Sequence, residues 1–128
     1  MNLSGFKTAV VDALDAIPEV EAGDWVVHRD STDAVQPPCF VLDWGPDPSR
    51  RIESNCTDAA QLEVVAVAGR LTPEGAYPIL EAMWDAACTA LAAARLRSYQ
   101  STGPGPLEVA RVMYLSVRIQ LRRPIEGA

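Results

Sequence analysis

Near the C-terminus, the run Leu115-Ser116-Val117-Arg118-Ile119-Gln120-Leu121-Arg122 alternates apolar and polar residues without a break. Successive side chains of a β-strand point to opposite sides of its sheet. The pattern therefore commits Leu115, Val117, Ile119 and Leu121 to one side, and Ser116, Arg118, Gln120 and Arg122 to the other. The first side is built for a core. The second presents two arginines to solvent or to a partner.

The rest of the chain divides into elements that could cover such a sheet. Leu3, Phe6, Val10, Leu14 and Ile17 recur at spacings of three and four, which predicts a helix over about 3–17 with one apolar stripe. Ser4 is available as its cap, and Pro18 closes it, because proline disfavours helical geometry in the residue before it. Trp25 to Arg29 reads as a short strand between Gly23-Asp24 and the polar residues 30 to 33. Pro37-Pro38 introduces the compact apolar run Cys39 to Trp44, stopped by Gly45-Pro46, and its length suits a strand over 39–44. Between Gly45 and Thr57 the prolines, Arg50-Arg51 and the scarcity of apolar anchors predict a loop or an extended hairpin arm.

Over about 59–68, Ala60, Leu62, Val64, Ala66 and Ala68 share one face of a strand. On its reverse face, Gln61, Glu63, Val65 and Val67 turn from polar to apolar. Thr72-Pro73-Glu74 has the composition of a helix start, with a cap, a proline at the first helical position and an acid at the positive end of the dipole. The helix runs over about 73–97 with Leu80, Met83, Trp84, Ala87, Leu91 and Ala94 as its buried stripe. Gly103-Pro104-Gly105-Pro106 then reads as a stiff turn before a final strand over about 108–123.

The order is helix, two or three strands, long helix, one or two strands. This predicts one α+β domain spanning 1–128, a largely antiparallel sheet with two helices packed on one face. The other face would be wet in a monomer, as antiparallel sheets permit. A chain of 128 residues, 48% hydrophobic and 22% charged, has the composition of a globular protein that buries a core without a disulfide scaffold or a metal.

Eleven basic residues against seventeen acidic give a net charge of −6, which argues against nonspecific binding to nucleic acid or to an anionic membrane. The charges are unevenly placed. Residues 1–64 hold 4 basic and 12 acidic residues, whereas residues 65–128 hold 7 and 5. If this segregates in space, complementary surfaces could steer one copy onto another. No apolar run approaches the roughly 20 residues of a membrane span. Cys39, Cys56 and Cys88 are odd in number and too widely spaced for a CxxC motif, and no signal peptide precedes them, so a reducing compartment is expected. Cys39 and Cys88 read as small core residues.

Catalytic chemistry finds little support. His28-Arg29-Asp30 matches the kinase catalytic loop but lacks every downstream element that chemistry needs. As the single histidine, His28 could serve as a base with Asp30 or Asp43, yet no serine or cysteine stands in a nucleophile context. The acids at 12, 15, 19, 21, 24, 30 and 33 lack the periodicity of a calcium loop. The Gly-Pro-Gly-Pro run cannot cradle phosphate, because proline has no N–H to donate. No catalytic residue, cofactor or metal is therefore expected. Arg50, Arg51, Arg118 and Arg122 remain as solvent-exposed or interface positions. Trp44, beside a Gly-Pro break, is the tryptophan best suited to a subunit contact.

Four features together resemble the tail terminator proteins of long-tailed bacteriophages, also described as minor tail or tail completion proteins. They are the N-terminal helix ending at Ile17-Pro18, Pro37-Pro38 before the strand Cys39 to Trp44, the strand Leu62 to Ala68 running into the Thr72-Pro73-Glu74 helix, and the basic alternating strand Val112 to Arg123. The resemblance implies a homo-oligomeric ring, usually of six subunits. Such a ring caps the finished tail tube, halts its polymerisation and presents a surface for joining tail to head. Its partners would be the tail tube protein and a head-completion or neck protein, and its location the neck-proximal end of the virion tail after assembly in the host cytoplasm. Arg118 and Arg122 would then lie near the ring lumen or a neighbour, and Arg50-Arg51 on an arm that touches the tube or a neighbour. Two other classes fit the same composition: a dimeric bacterial adaptor or immunity domain, and a small ligand-binding enzyme using His28.

Overall fold

The structure, a computed structural model, describes residues 3–29, 35–44, 51–53, 57–70, 73–96 and 98–125. In chain order the elements are α1 (Leu3–Asp15), α2 (Pro18–Glu21), β1 (Val26–His28), β2 (Cys39–Trp44), β3 (Arg51–Glu53), β4 (Thr57–Arg70), α3 (Pro73–Ala93), β5 (Ser98–Val109) and β6 (Val112–Ile125). The fold is α+β. The strands form one sheet in the order β1-β2-β4-β6-β5, with β3 also pairing β4. Every pairing is antiparallel except β1 with β2.

β4 is the axis of this sheet. One of its edges runs along β6 from Asp58 to Arg70. Along the other, β3 pairs with Thr57–Ala59 and β2 with Leu62–Val67. The two long helices lie on one face, where Phe6, Val10 and Leu14 of α1 and Leu80, Met83, Ala87 and Leu91 of α3 join Phe40, Leu42, Leu62, Val64, Ile119 and Leu121 in a single core. Trp25 meets Phe40 edge-on, with ring centroids 5.9 Å apart, a favoured aromatic geometry. The inward half of the alternating strand is as its phase requires: Leu115, Val117, Ile119 and Leu121 are all buried in this core.

Four local features depart from the sequence reading. First, α1 ends at Asp15 and Pro18 opens a short second helix. Ile17, expected to be the last helical residue, is its extended cap at φ −65° and ψ 129°, the geometry that proline imposes on the residue before it. Second, α3 ends at Ala93 rather than near 97. Its terminus is a Schellman motif: the Leu96 N–H donates to the Leu91 carbonyl at 2.8 Å and the Arg95 N–H to that of Ala92 at 3.0 Å, with Arg95 at φ 61°. Leu96 is buried beside Leu91, the apolar contact that accompanies this cap.

Third, the region expected to hold one or two strands, with a strand over about 108–123, is a hairpin of two long strands, Ser98–Val109 and Val112–Ile125. Gly103-Pro104-Gly105-Pro106 is not a turn but part of β5, an edge strand, where prolines remove no ladder bond that a neighbour needs. Register slips there, because Thr102 faces Arg118 and Gly105 faces Ser116, leaving Gly103 and Pro104 opposite Val117. Only glycine fits the first of these places: φ is +124°, and a Cβ would stand 3.0 Å from the Ser116 carbonyl oxygen. The actual reversal falls at Ala110-Arg111, with φ of 49° and 66°. Two-residue hairpin turns of this kind favour Asn-Gly, and each non-glycine residue there costs on the order of 1 kcal/mol.

Fourth, the face without helices is only partly wet. At one end Cys39, Val41, Val65 and Val67 are buried, packed by Val26, Val35, Leu107 and Tyr114. An extra residue in β4 between Val67 and Gly69 breaks the register with β6, and such bulges increase local twist. Beyond it, Leu107 and Tyr114, paired across the hairpin, pack on this second cluster. The change from polar to apolar along the reverse face of β4 is thus matched by what packs on it.

Candidate functional site

The polar end of the helix-free face is organised around Glu63. Register places Glu63 opposite Gln120 and Val65 opposite Arg118, so three polar side chains of β4 and β6 meet on one surface. Arg118 Nη1 donates to Glu63 Oε2 at 2.7 Å, and Gln120 Nε2 donates to Glu63 Oε1 at 3.1 Å. Glu63 is almost fully buried while the Arg118 side chain is 35% exposed. A carboxylate this shielded requires donors on both oxygens, and the two β6 side chains supply them. Next along β6, the buried Ser116 hydroxyl donates to the Gly105 carbonyl at 3.2 Å and ties β6 to β5.

The predicted interface residues fall in several places. Arg118 and Arg122 share the helix-free face by strand phase, Arg122 exposed and opposite Gln61 in register. Arg118 already has a counter-charge within its own chain. Trp44 is the last residue of β2, opposite Leu62. Arg51 opens β3, opposite Ala59, so the arm expected between Gly45 and Thr57 contains a strand pairing with β4. Arg50, Cys56, Asp30 and the Thr72 cap lie outside the described residues.

No protein-family model matches this chain, and no curated protein matches it either. His28 ends β1 opposite Val41, and its Nε2 is buried with no hydrogen-bond partner among the described residues. Asp43 lies on the neighbouring strand, two residues beyond Val41. Among the described residues no group of three or more His, Cys, Asp or Glu could hold a metal ion, and no helix is long and apolar enough to cross a membrane. Burial pushes the Cys39 thiol up to about 11. It also raises that of Cys88, where Asp85 adds to the effect. Both thiols are held away from the nucleophilic thiolate.

The surface features that sequence reasoning missed lie on α3. Trp84, placed in the buried stripe by its spacing, is 39% exposed, and Tyr77 and Ile79 of the same helix are also exposed. The buried line is Ala76, Leu80, Met83, Ala87 and Leu91. Trp84 follows Met83 by one residue, a turn of about 100° around the helix that carries it off this line. Ala94 is exposed as well, since α3 has already ended. Trp84 leans instead on β5, its indole N–H donating to Ser101 Oγ at 3.2 Å. Together with Tyr77, Glu81 and Pro104 it lines a cleft of about 330 Å³. A larger, open groove of about 900 Å³ runs between α1 and α3, floored by alanines with Asp12, Glu19 and Asp85 among its lining residues.

Proposed function

We propose that this chain is a structural protein of a long-tailed phage virion, forming a homo-oligomeric ring at the end of the tail tube that stops tube growth and helps join tail to head. The observation that carries the assembly half of this reading is the set of exposed large apolar side chains. Tyr77, Ile79 and Trp84 stand on α3 and Met113 near the tip of the β5–β6 hairpin, each more than one-third exposed. Tryptophan and tyrosine are enriched at binding hot spots, and Tyr77 and Trp84, seven residues apart on α3, line one cleft.

The phage half rests on the order of elements: an N-terminal helix, a strand after Pro37-Pro38, a strand running into a long helix, and a basic terminal strand. The function so described is mechanical and asks for no nucleophile, metal or cofactor. Its partners would be the tail tube protein and a head-completion or neck protein. The test is to disrupt this gene in the phage that carries it and to image the lysate by negative-stain electron microscopy. Overlong tails unattached to filled heads are the expected result. Normal tails joined to heads would remove the proposal.

A further inference from the structure

Tyr77, Glu81 and Trp84 follow one another at spacings of four and three, which aligns them in one stripe along α3. That stripe faces β5 and forms the cleft, so a carboxylate stands between two aromatic side chains, with Pro104 as the opposite wall. The Trp84 indole is held in place by its bond to Ser101, and glycine at position 103 lets the β5 bulge bring Pro104 to that wall. Glu81 is exposed and makes no ion pair with any described residue. A negative charge flanked by aromatic rings suits a guanidinium, which can pair with the carboxylate and stack on the rings.

The chain carries a matching group elsewhere. Arg111 sits at the tip of the β5–β6 hairpin, exposed and in no ion pair with a described residue, with exposed Met113 beside it. Its φ of 66° and that of Ala110, 49°, strain a turn that Asn-Gly would form without cost. Strain retained at a projecting tip points to a role for the side chain placed there. This tip cannot reach its own cleft: the five paired residues Gly105 to Val109 separate Pro104 from Ala110, a span of about 20 Å.

We propose that the Tyr77–Glu81–Trp84 cleft is a socket for the hairpin tip of a second copy of this chain, with Arg111 of one copy entering between Tyr77 and Trp84 of the next and pairing with Glu81. Socket and tip are different surfaces, so the contact is head-to-tail, and repetition closes a ring when the rotation between copies permits. The inference rests on the proposed self-assembly and names the surfaces that carry it.

The test is a charge-swap series on the full chain, with assembly measured by analytical ultracentrifugation and folding by circular dichroism. Glu81→Arg and Arg111→Glu should each weaken assembly by about tenfold or more, and the double exchange should recover most of the loss. Arg111→Gly separates a docking role from a structural one. Glycine relieves the strained φ, so this variant should melt at a higher temperature while assembling less well. A wild-type chain that assembles but ignores every substitution overturns this interface alone. A wild-type chain that stays monomeric at all concentrations overturns both the interface and the self-assembly it rests on.

Discussion

Val64 and Val67 lie three residues apart on β4, and both are fully shielded from solvent, but by different means. Val64 is covered by α1 and α3, two long helices whose apolar stripes are legible in the sequence. Val67 points the other way, into a cluster with Cys39, Val41 and Val65 against which Val26, Val35, Leu107 and Tyr114 pack, side chains from β1, a connection and the β5–β6 hairpin. One face of the sheet is sealed by dedicated elements. The other is sealed at one end by the sheet's own extension, and carries the Glu63–Arg118–Gln120 network and the exposed Arg122 at its other end. The sheet thus does not have one dry and one wet face. Its second face changes character along the strands, as does the reverse face of β4.

The two valines carry the largest expected effects. Val64→Ala and Val67→Ala should each cost about 2 kcal/mol in chemical denaturation, because each opens a cavity in a closed cluster. A Val67→Ala cost near zero would mean that the hairpin does not seal its end of the sheet. At the polar end, Arg118→Ala should cost about 1–2 kcal/mol by leaving the buried Glu63 with Gln120 as its remaining described donor. Arg118→Ala in a Glu63→Gln background should cost less, and equal losses in both backgrounds would show that the pair is not coupled.

Cys39 reports on the same hairpin cover through its thiol. Its value is raised from 9.0 to about 11 by burial, so the folded state disfavours the thiolate relative to the unfolded chain. The resulting stabilisation is fully present below pH 9 and is lost as the pH rises toward 11. A Cys39→Ala variant should therefore show a smaller fall in stability across that window than the wild type, and identical profiles would refute the burial. The smallest expected effect lies at the end of α3. Arg95→Gly should stabilise by about 0.5–1 kcal/mol, since glycine takes a φ of 61° without strain. A loss of stability on this change would indicate that the Arg95 side chain contributes more than its backbone costs.

What could be read in advance follows the same division. β2 is bounded by Pro37-Pro38 and Gly45-Pro46, and the structure places it over Cys39–Trp44 as those signals require. The helix-facing halves of β4 and β6 were equally legible, because their apolar phase is set by local alternation. β5 was hidden, since Gly103-Pro104-Gly105-Pro106 carries every signal of a break and is tolerated only because its strand lies on the sheet edge. The true turn was hidden for the opposite reason: Ala110-Arg111 has none of the residues that usually mark one.

Contacts that depend on register were beyond local reading. Glu63 and Arg118 are 55 residues apart in the chain, and their meeting depends on how β4 slides along β6. Trp84 shows the limit of helical spacing as a guide. Its position fits an apolar stripe, but Met83 occupies the buried line and Trp84 turns toward β5, where a hydrogen bond to Ser101 awaits its indole. The signal that could have found it is a surplus: α3 carries more large apolar residues than one face of a helix can bury.

We infer that the surfaces left exposed on α3 and at the hairpin tip serve self-assembly. Native mass spectrometry of the purified chain separates this from a monomer in one experiment. One dominant species is expected at an integer multiple of the 13.8 kDa chain mass, six-fold for a ring of the kind tail terminators form, persisting at micromolar concentration. A single species at the mass of one chain under those conditions would contradict it.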